Sequence, residues 1–171
     1  MTDQRDALWE ATFRVYYDVY YSEIVADKLI SRWQLVDDIS KVLVALTAST
    51  SAVAGWALWQ QSDFKEIWTI IAGAGAILAV VHAALSVPRR LKDWAETGSS
   101  FLGLRIDLET LRERMRLNPQ FDIDALTNEF MNCRKRYSEH KAREPHDFIF
   151  TKATANQSQS ELNVRLADEI L

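Results

Sequence analysis

The chain holds one cysteine, Cys133, among 171 residues, so no intramolecular disulfide can form and nothing indicates an oxidising compartment. The expectation is a reduced thiol facing the cytoplasm. The N-terminus, MTDQRDALWEATFRVYYDVYY, carries acidic residues early and lacks a short apolar core followed by a small-residue cleavage site, which argues against a cleaved signal peptide. Also missing are a glycine-rich phosphate loop, a nucleophile elbow and a clustered set of cysteine ligands. No enzyme active site, cofactor or metal is expected.

The most informative deficit is local. Charged residues make up 26% of the chain, as in an ordinary soluble protein, yet residues 42–62 and 67–87 contain no Asp, Glu, Lys or Arg. Each run is 21 residues long. At about 1.5 Å per residue that is a helix of about 31 Å, against a bilayer core of about 30 Å. A buried hairpin in a soluble bundle is the alternative, but one face of such a helix normally meets water and carries charge. Two membrane-spanning helices are therefore expected. Arg32 and Lys41 precede the first run and Arg89, Arg90 and Lys92 follow the second, while the turn holds Asp63, Lys65 and Glu66. The positive-inside rule then puts both termini in the cytoplasm. Trp56, Trp59, Phe64 and Trp68 gather at the turn, and Trp33 and Trp94 flank the other end, as interfacial aromatic belts do.

At about 100° per residue the second run divides into two faces. Gly75, Ala79, His82, Ala83 and Ser86 share one side, and bulkier residues such as Ile70, Ile77, Val80 and Val87 cover the remainder. Small residues let helix backbones approach in lipid, so the first side is expected against protein and the second against acyl chains. In the first run Ser40, Thr47, Ser51, Gly55 and Ser62 form a related stripe. Its hydroxyls either bond to backbone and neighbouring helices or line a water-filled path in an oligomer. His82, ionisable and inside a span, is either a neutral group bonded to a neighbouring helix or part of a proton or ion path.

Outside the hairpin, residues 3–38 contain no Gly or Pro and interleave polar residues with Trp9, Phe13, Tyr16, Tyr20, Ile24 and Trp33, which predicts one long helix in contact with protein. Beyond Pro88 a helix is expected up to Asn118-Pro119, and another over 122–143 with Leu126, Phe130, Cys133 and Tyr137 on one face. The stretch HDFIFTKATANQSQS reads as a loop or extended arm, with a short terminal helix in SELNVRLADEIL beginning near Ser160.

Two sharper readings compete with a solvated surface. Arg134 and His140, separated by five residues, have the spacing of the R-x4-6-H motif of helical (HEPN-like) ribonucleases, which makes a membrane-anchored ribonuclease or nuclease partner the alternative function. Cys133, His140 and His146 do not match the spacing of a structural zinc site.

The succession of an aromatic N-terminal helix, DDISKVLVALTASTSAVAGWALW, a brief turn, WTIIAGAGAILAVVHAAL and PRRLKDWAETGSSFLGLRIDLETL resembles the SLATT family, the SMODS- and SLOG-associating two-transmembrane effectors, over about residues 9–145. The resemblance implies a bacterial antiphage, abortive-infection effector that assembles as a homo-oligomer in the inner membrane and permeabilises it. It also implies a sensor or nucleotide-signalling partner protein, and no catalytic residues. A passive membrane adaptor is a third possibility. No nucleic-acid partner is expected. The fold expected is an all-α membrane protein divided into an N-terminal cytoplasmic helix (1–38), a transmembrane hairpin (39–88), a cytoplasmic helical region (89–145) and a C-terminal arm with a short helix (146–171).

Overall fold

A computed structural model describes residues 3–49, 70, 73–77, 80, 82–118 and 120–170, with the side chains of 46–49 and 169–170 excepted. The described residues are all-helical, without strands. Among the described residues five helices follow one another: α1 (Gln4–Ser49), α2 (Gly73–Leu85), α3 (Val87–Leu117), α4 (Ile123–Ala142) and α5 (Lys152–Ile170). They divide into two compact units, one of Met1–Ile30 with Asp93–Leu171 and the other of Ser31–Lys92.

The first unit is a helical bundle. With no glycine or proline to interrupt it, α1 runs on past residue 38, and its hydroxyls bond back along the helix: Thr12 Oγ1 donates to the Leu8 carbonyl at 2.8 Å and Ser22 Oγ to that of Asp18 at 3.0 Å. These bonds satisfy polar side chains that are themselves buried. In α3, Phe101, Leu104, Leu108, Leu111 and Met115 recur every three or four residues and are all buried. They meet Tyr16, Val19, Tyr20 and Ile24 of α1, Cys133 of α4 and Leu162 of α5 in one cluster, and Leu8, Phe121, Leu126 and Phe130 in a second. Each fully buried leucine or phenylalanine contributes about 1.5–3 kcal/mol. Gly98 allows α1 close to α3, since a Cβ there would sit 3.5 Å from that of Ala26.

Helix α3 stops at Leu117, and Asp122 caps α4 by accepting the amides of Asp124 and Ala125. The C-terminal region departs from expectation. The arm ends early, and α5 begins at Lys152 rather than near Ser160. Thr151 supplies the reason: its Oγ1 accepts the Thr154 amide at 3.3 Å while Thr154 Oγ1 accepts the Thr151 amide at 3.4 Å, a reciprocal cap. Thr154, Ser158 and Leu162 then share one buried face at intervals of four. The ANQSQS patch is polar in composition but helical in position.

The second unit contains the end of α1, α2 and the beginning of α3. Among the described residues no single helix is long and apolar enough to cross a membrane; α2 and α3 together reach that length and apolarity, with a bend of 43° between them. The bend falls at Ser86, whose φ of 49° is the one positive value at a non-glycine residue among those described. Its carbonyl restarts the helix by accepting the amides of Arg89 and Arg90. Most of the first charge-free run, from residue 50 onward, lies outside the described residues.

Candidate functional site

Two ionisable groups of the second unit, Lys41 and His82, meet at Asp37. Its Oδ1 lies 3.0 Å from His82 Nε2 on α2, and its Oδ2 takes Lys41 Nζ, one turn further along α1, at 2.5 Å. The two hydrogen bonds, that of Lys41 first and that of His82 second, hold the Asp37 carboxyl below the usual aspartate range. One turn before Asp37, Trp33 is buried beneath the Arg90 guanidinium, which stands 5.3 Å from its ring centroid and donates from Nε to the Leu85 carbonyl at 3.2 Å. Advancing from Trp33 to Asp37 therefore means retreating from Arg90 to His82, the order of an antiparallel pair.

Burial in the second unit does not follow polarity: Trp33 and Val87 are buried, while Asp38, Ala74, Ala76 and Ser86 are exposed. Asp37, Ser40 and Gly75 are buried, and His82 is half-buried. Ser40 Oγ donates to the Val36 carbonyl at 2.7 Å, so this hydroxyl is satisfied within its own helix. Other large apolar side chains point outward: Ile70 is 71% exposed, Ile77 66% and Val80 68%, with Ile39, Val42 and Val44 exposed on α1. Of the small-residue face expected on the second run, Gly75 is buried, His82 is bonded and Ala83 is exposed; Val87, expected among the outward residues, is fully buried. Ala79, Ser51 and Gly55 lie outside the described residues, as does the side chain of Thr47.

Chemically, Asp37 supplies an anion that can hold a cationic Lys41 and orient His82 at one end of the paired helices. Sequence reasoning named His82 and missed Asp37, its partner 45 positions earlier. The available signal was the Asp37-Asp38 pair ahead of the first run, a carboxylate within reach of a histidine near the end of the second.

In the bundle, Arg134 and His140 both lie on α4. At about 100° and 1.5 Å per residue, six positions set them about 120° and 9 Å apart, on different faces. His140 leans edge-on against Phe101 at 6.1 Å, and burial, followed by Arg136 and Arg143, pushes its imidazole below the ordinary histidine value. Cys133 is buried in the first core cluster, and burial raises its thiol pKa, the opposite of what a nucleophile or ligand requires. Among the described residues no three His, Cys, Asp or Glu side chains are placed to hold a metal ion. Compared with protein-family models, with curated proteins and with solved structures, the chain matches none.

Proposed function

We propose that the chain is a membrane effector: a helical hairpin that inserts in the bacterial inner membrane with both termini in the cytoplasm, assembles as a homo-oligomer, and breaches the bilayer when an infection-sensing partner activates it. The observation that carries this reading is the set of exposed large apolar side chains in the second unit, Ile39, Val42, Val44, Ile70, Ile77 and Val80, beside the bonded pair of Asp37 and His82. Exposed apolar surface of that extent needs an apolar neighbour, either lipid or another subunit. The two charge-free runs, their positively charged flanks and their tryptophans support the same placement. The resemblance to the SLATT family supports the antiphage role. The ribonuclease alternative is not favoured, because it needs Arg134 and His140 to address one phosphate from different faces of α4.

In this reading the bundle is the cytoplasmic, signal-receiving part, and Asp37 with His82 fastens the cytoplasmic mouth of the hairpin. Membrane insertion is tested by cysteine labelling from outside the cell on a Cys133→Ser background. A cysteine at Ser62 is expected to react, and one at exposed Gln4 or Ser160 is not. Labelling at either terminal site overturns the orientation. Permeabilisation is tested by dye leakage from liposomes with supplied activator: Gly75→Leu should abolish assembly and leakage, while Ile77→Leu should retain both. Oligomers without leakage in the unaltered protein would replace the effector by a passive adaptor.

A further inference from the structure

On the outer side of the bundle, Arg112 of α3 is surrounded by aromatic rings of α1. Its guanidinium carbon stands 5.5 Å from the Trp9 ring centroid, 5.0 Å from that of Phe13 and 4.5 Å from that of Tyr16. Three rings within stacking range cover and orient the cation but accept no N–H bond in its plane. Its neighbours on α3 are satisfied differently. Arg105 holds Glu23 and Glu109, Arg114 holds Glu129, and Arg116 holds Glu113. Arg112 has no hydrogen-bond acceptor and no carboxylate among the described residues, and its Nε is buried without a partner. A guanidinium presents five N–H donors in a rigid fork, and a half-buried one normally meets an acceptor.

The Arg112 side chain also borders a hollow. A cavity of about 360 Å³ is lined by Arg112, Arg116, Glu109, Glu113, Trp9, Phe13 and Leu166, and a second of about 320 Å³ lies against the same Trp9 and Phe13, with Arg14 in its lining. Arg112 and Arg116 are four positions apart on α3, so both reach the first hollow from one helix face. We propose that this hollow binds a phosphate group, taken by the forks of Arg112 and Arg116 together, in a small phosphate monoester whose flat apolar part lies along Trp9 and Phe13. A tetrahedral dianion accepts donors from two guanidinium groups at once, and bidentate arginine contacts are the strong form of that bond. Glu109 and Glu113 repel the ligand, but Glu109 is paired with Arg105 and Glu113 takes a single N–H group of Arg116, which leaves the remaining Arg116 donors and the Arg112 fork for the phosphate.

The site lies within the bundle and does not depend on how the chain meets the membrane, so its test is separate from leakage or labelling. Full-length protein in detergent is titrated calorimetrically with inorganic phosphate and with phenyl phosphate, ionic strength being held constant with sodium chloride. Phosphate should bind, and phenyl phosphate should bind at least fivefold more tightly through the two rings. Arg116→Gln, an exposed substitution that leaves the fold intact, should weaken phenyl phosphate at least fivefold, and Arg112→Lys should weaken it at least tenfold. Glu109→Gln should strengthen it. Absence of phosphate binding beyond that of matched chloride, benzoate binding as tightly as phenyl phosphate, or unchanged affinity in Arg116→Gln would each overturn the proposal.

Discussion

The two units differ in how consistently they bury large apolar side chains. In the bundle, Phe101, Leu104 and Leu108 are fully buried, and charged residues such as Glu129, Arg134 and Asp107 point outward. Between residues 31 and 92 the pattern is mixed: Asp37, Ser40 and Gly75 are covered along with Trp33 and Val87, while Ile70, Ile77 and Val80 are exposed. Water drives the first arrangement by rejecting apolar surface. It does not account for the exposed isoleucines and valine of the second. The difference teaches that one continuous helical character does not fix what a unit buries, and that the exposed side chains of residues 31–92 are where the proposed membrane placement can be tested.

The comparison is tested most severely by truncating apolar side chains on each side of it. Leu104→Ala should cost about 2–5 kcal/mol and Phe101→Ala about 3–5 kcal/mol, measured by denaturant unfolding in mild detergent, because both leave a cavity in a closed core. Ile77→Ala in the same detergent should stay within about 0.5 kcal/mol. An equal loss at Ile77 would place that side chain in a protein core and end the contrast. A smaller effect is expected at the start of α5, where Thr151→Ala removes the reciprocal cap and should lower stability by about 1 kcal/mol, with loss of helical signal confined to the C-terminus. Unchanged stability would mean that burial of Leu162 alone sets the helix start.

Charge sharpens the contrast further. Glu23 bonds to Arg105 Nε at 2.6 Å, yet burial outweighs that guanidinium and raises its pKa above the ordinary 4.5. The folded state then holds the proton more firmly than the unfolded one, so this group adds stability as pH falls from its raised value toward about 4.5. Glu23→Gln should cost less than about 1 kcal/mol at pH 7 and should remove that gain on acidification. A loss of about 3 kcal/mol or more would show that the ion pair outweighs its desolvation. Asp37 behaves in the opposite sense. With its pKa depressed by Lys41 and His82, its contribution is fully present above the unfolded value near 3.8 and is lost only as pH falls through the lower folded value. Carboxyl carbon-13 shifts should place its midpoint below 3.8, and Lys41→Met should move it upward more than His82→Ala does. Insensitivity to both variants would show that neither hydrogen bond persists in solution.

Local rules made much of the fold legible beforehand. Periodicity located the buried face of α4, with Leu126, Phe130 and Cys133 covered as expected, and its span near 122–143; on α3 it pointed to Leu102 and Ile106, which are exposed, while Phe101, Leu104 and Leu108 are buried. The same rules misplaced α5, because serines, glutamines and threonines weigh against a helix locally while Thr151, Thr154 and Leu162 favour one through capping and contact. They also passed over Asp37. Its importance comes from a partner on another helix, which no local pattern records.

What the sequence determined by itself is the helical class of the chain and the two charge-free runs, since these depend only on residue type and spacing along a helix. The tertiary structure decided which ionisable groups meet: Asp37 with His82, Glu23 with Arg105, and Arg112 with three aromatic rings but no acceptor among the described residues. The physical reason is range. Helix formation and hydropathy act over one or two turns, whereas burial, pairing and the lack of a partner for a charge arise only when distant segments share one neighbourhood.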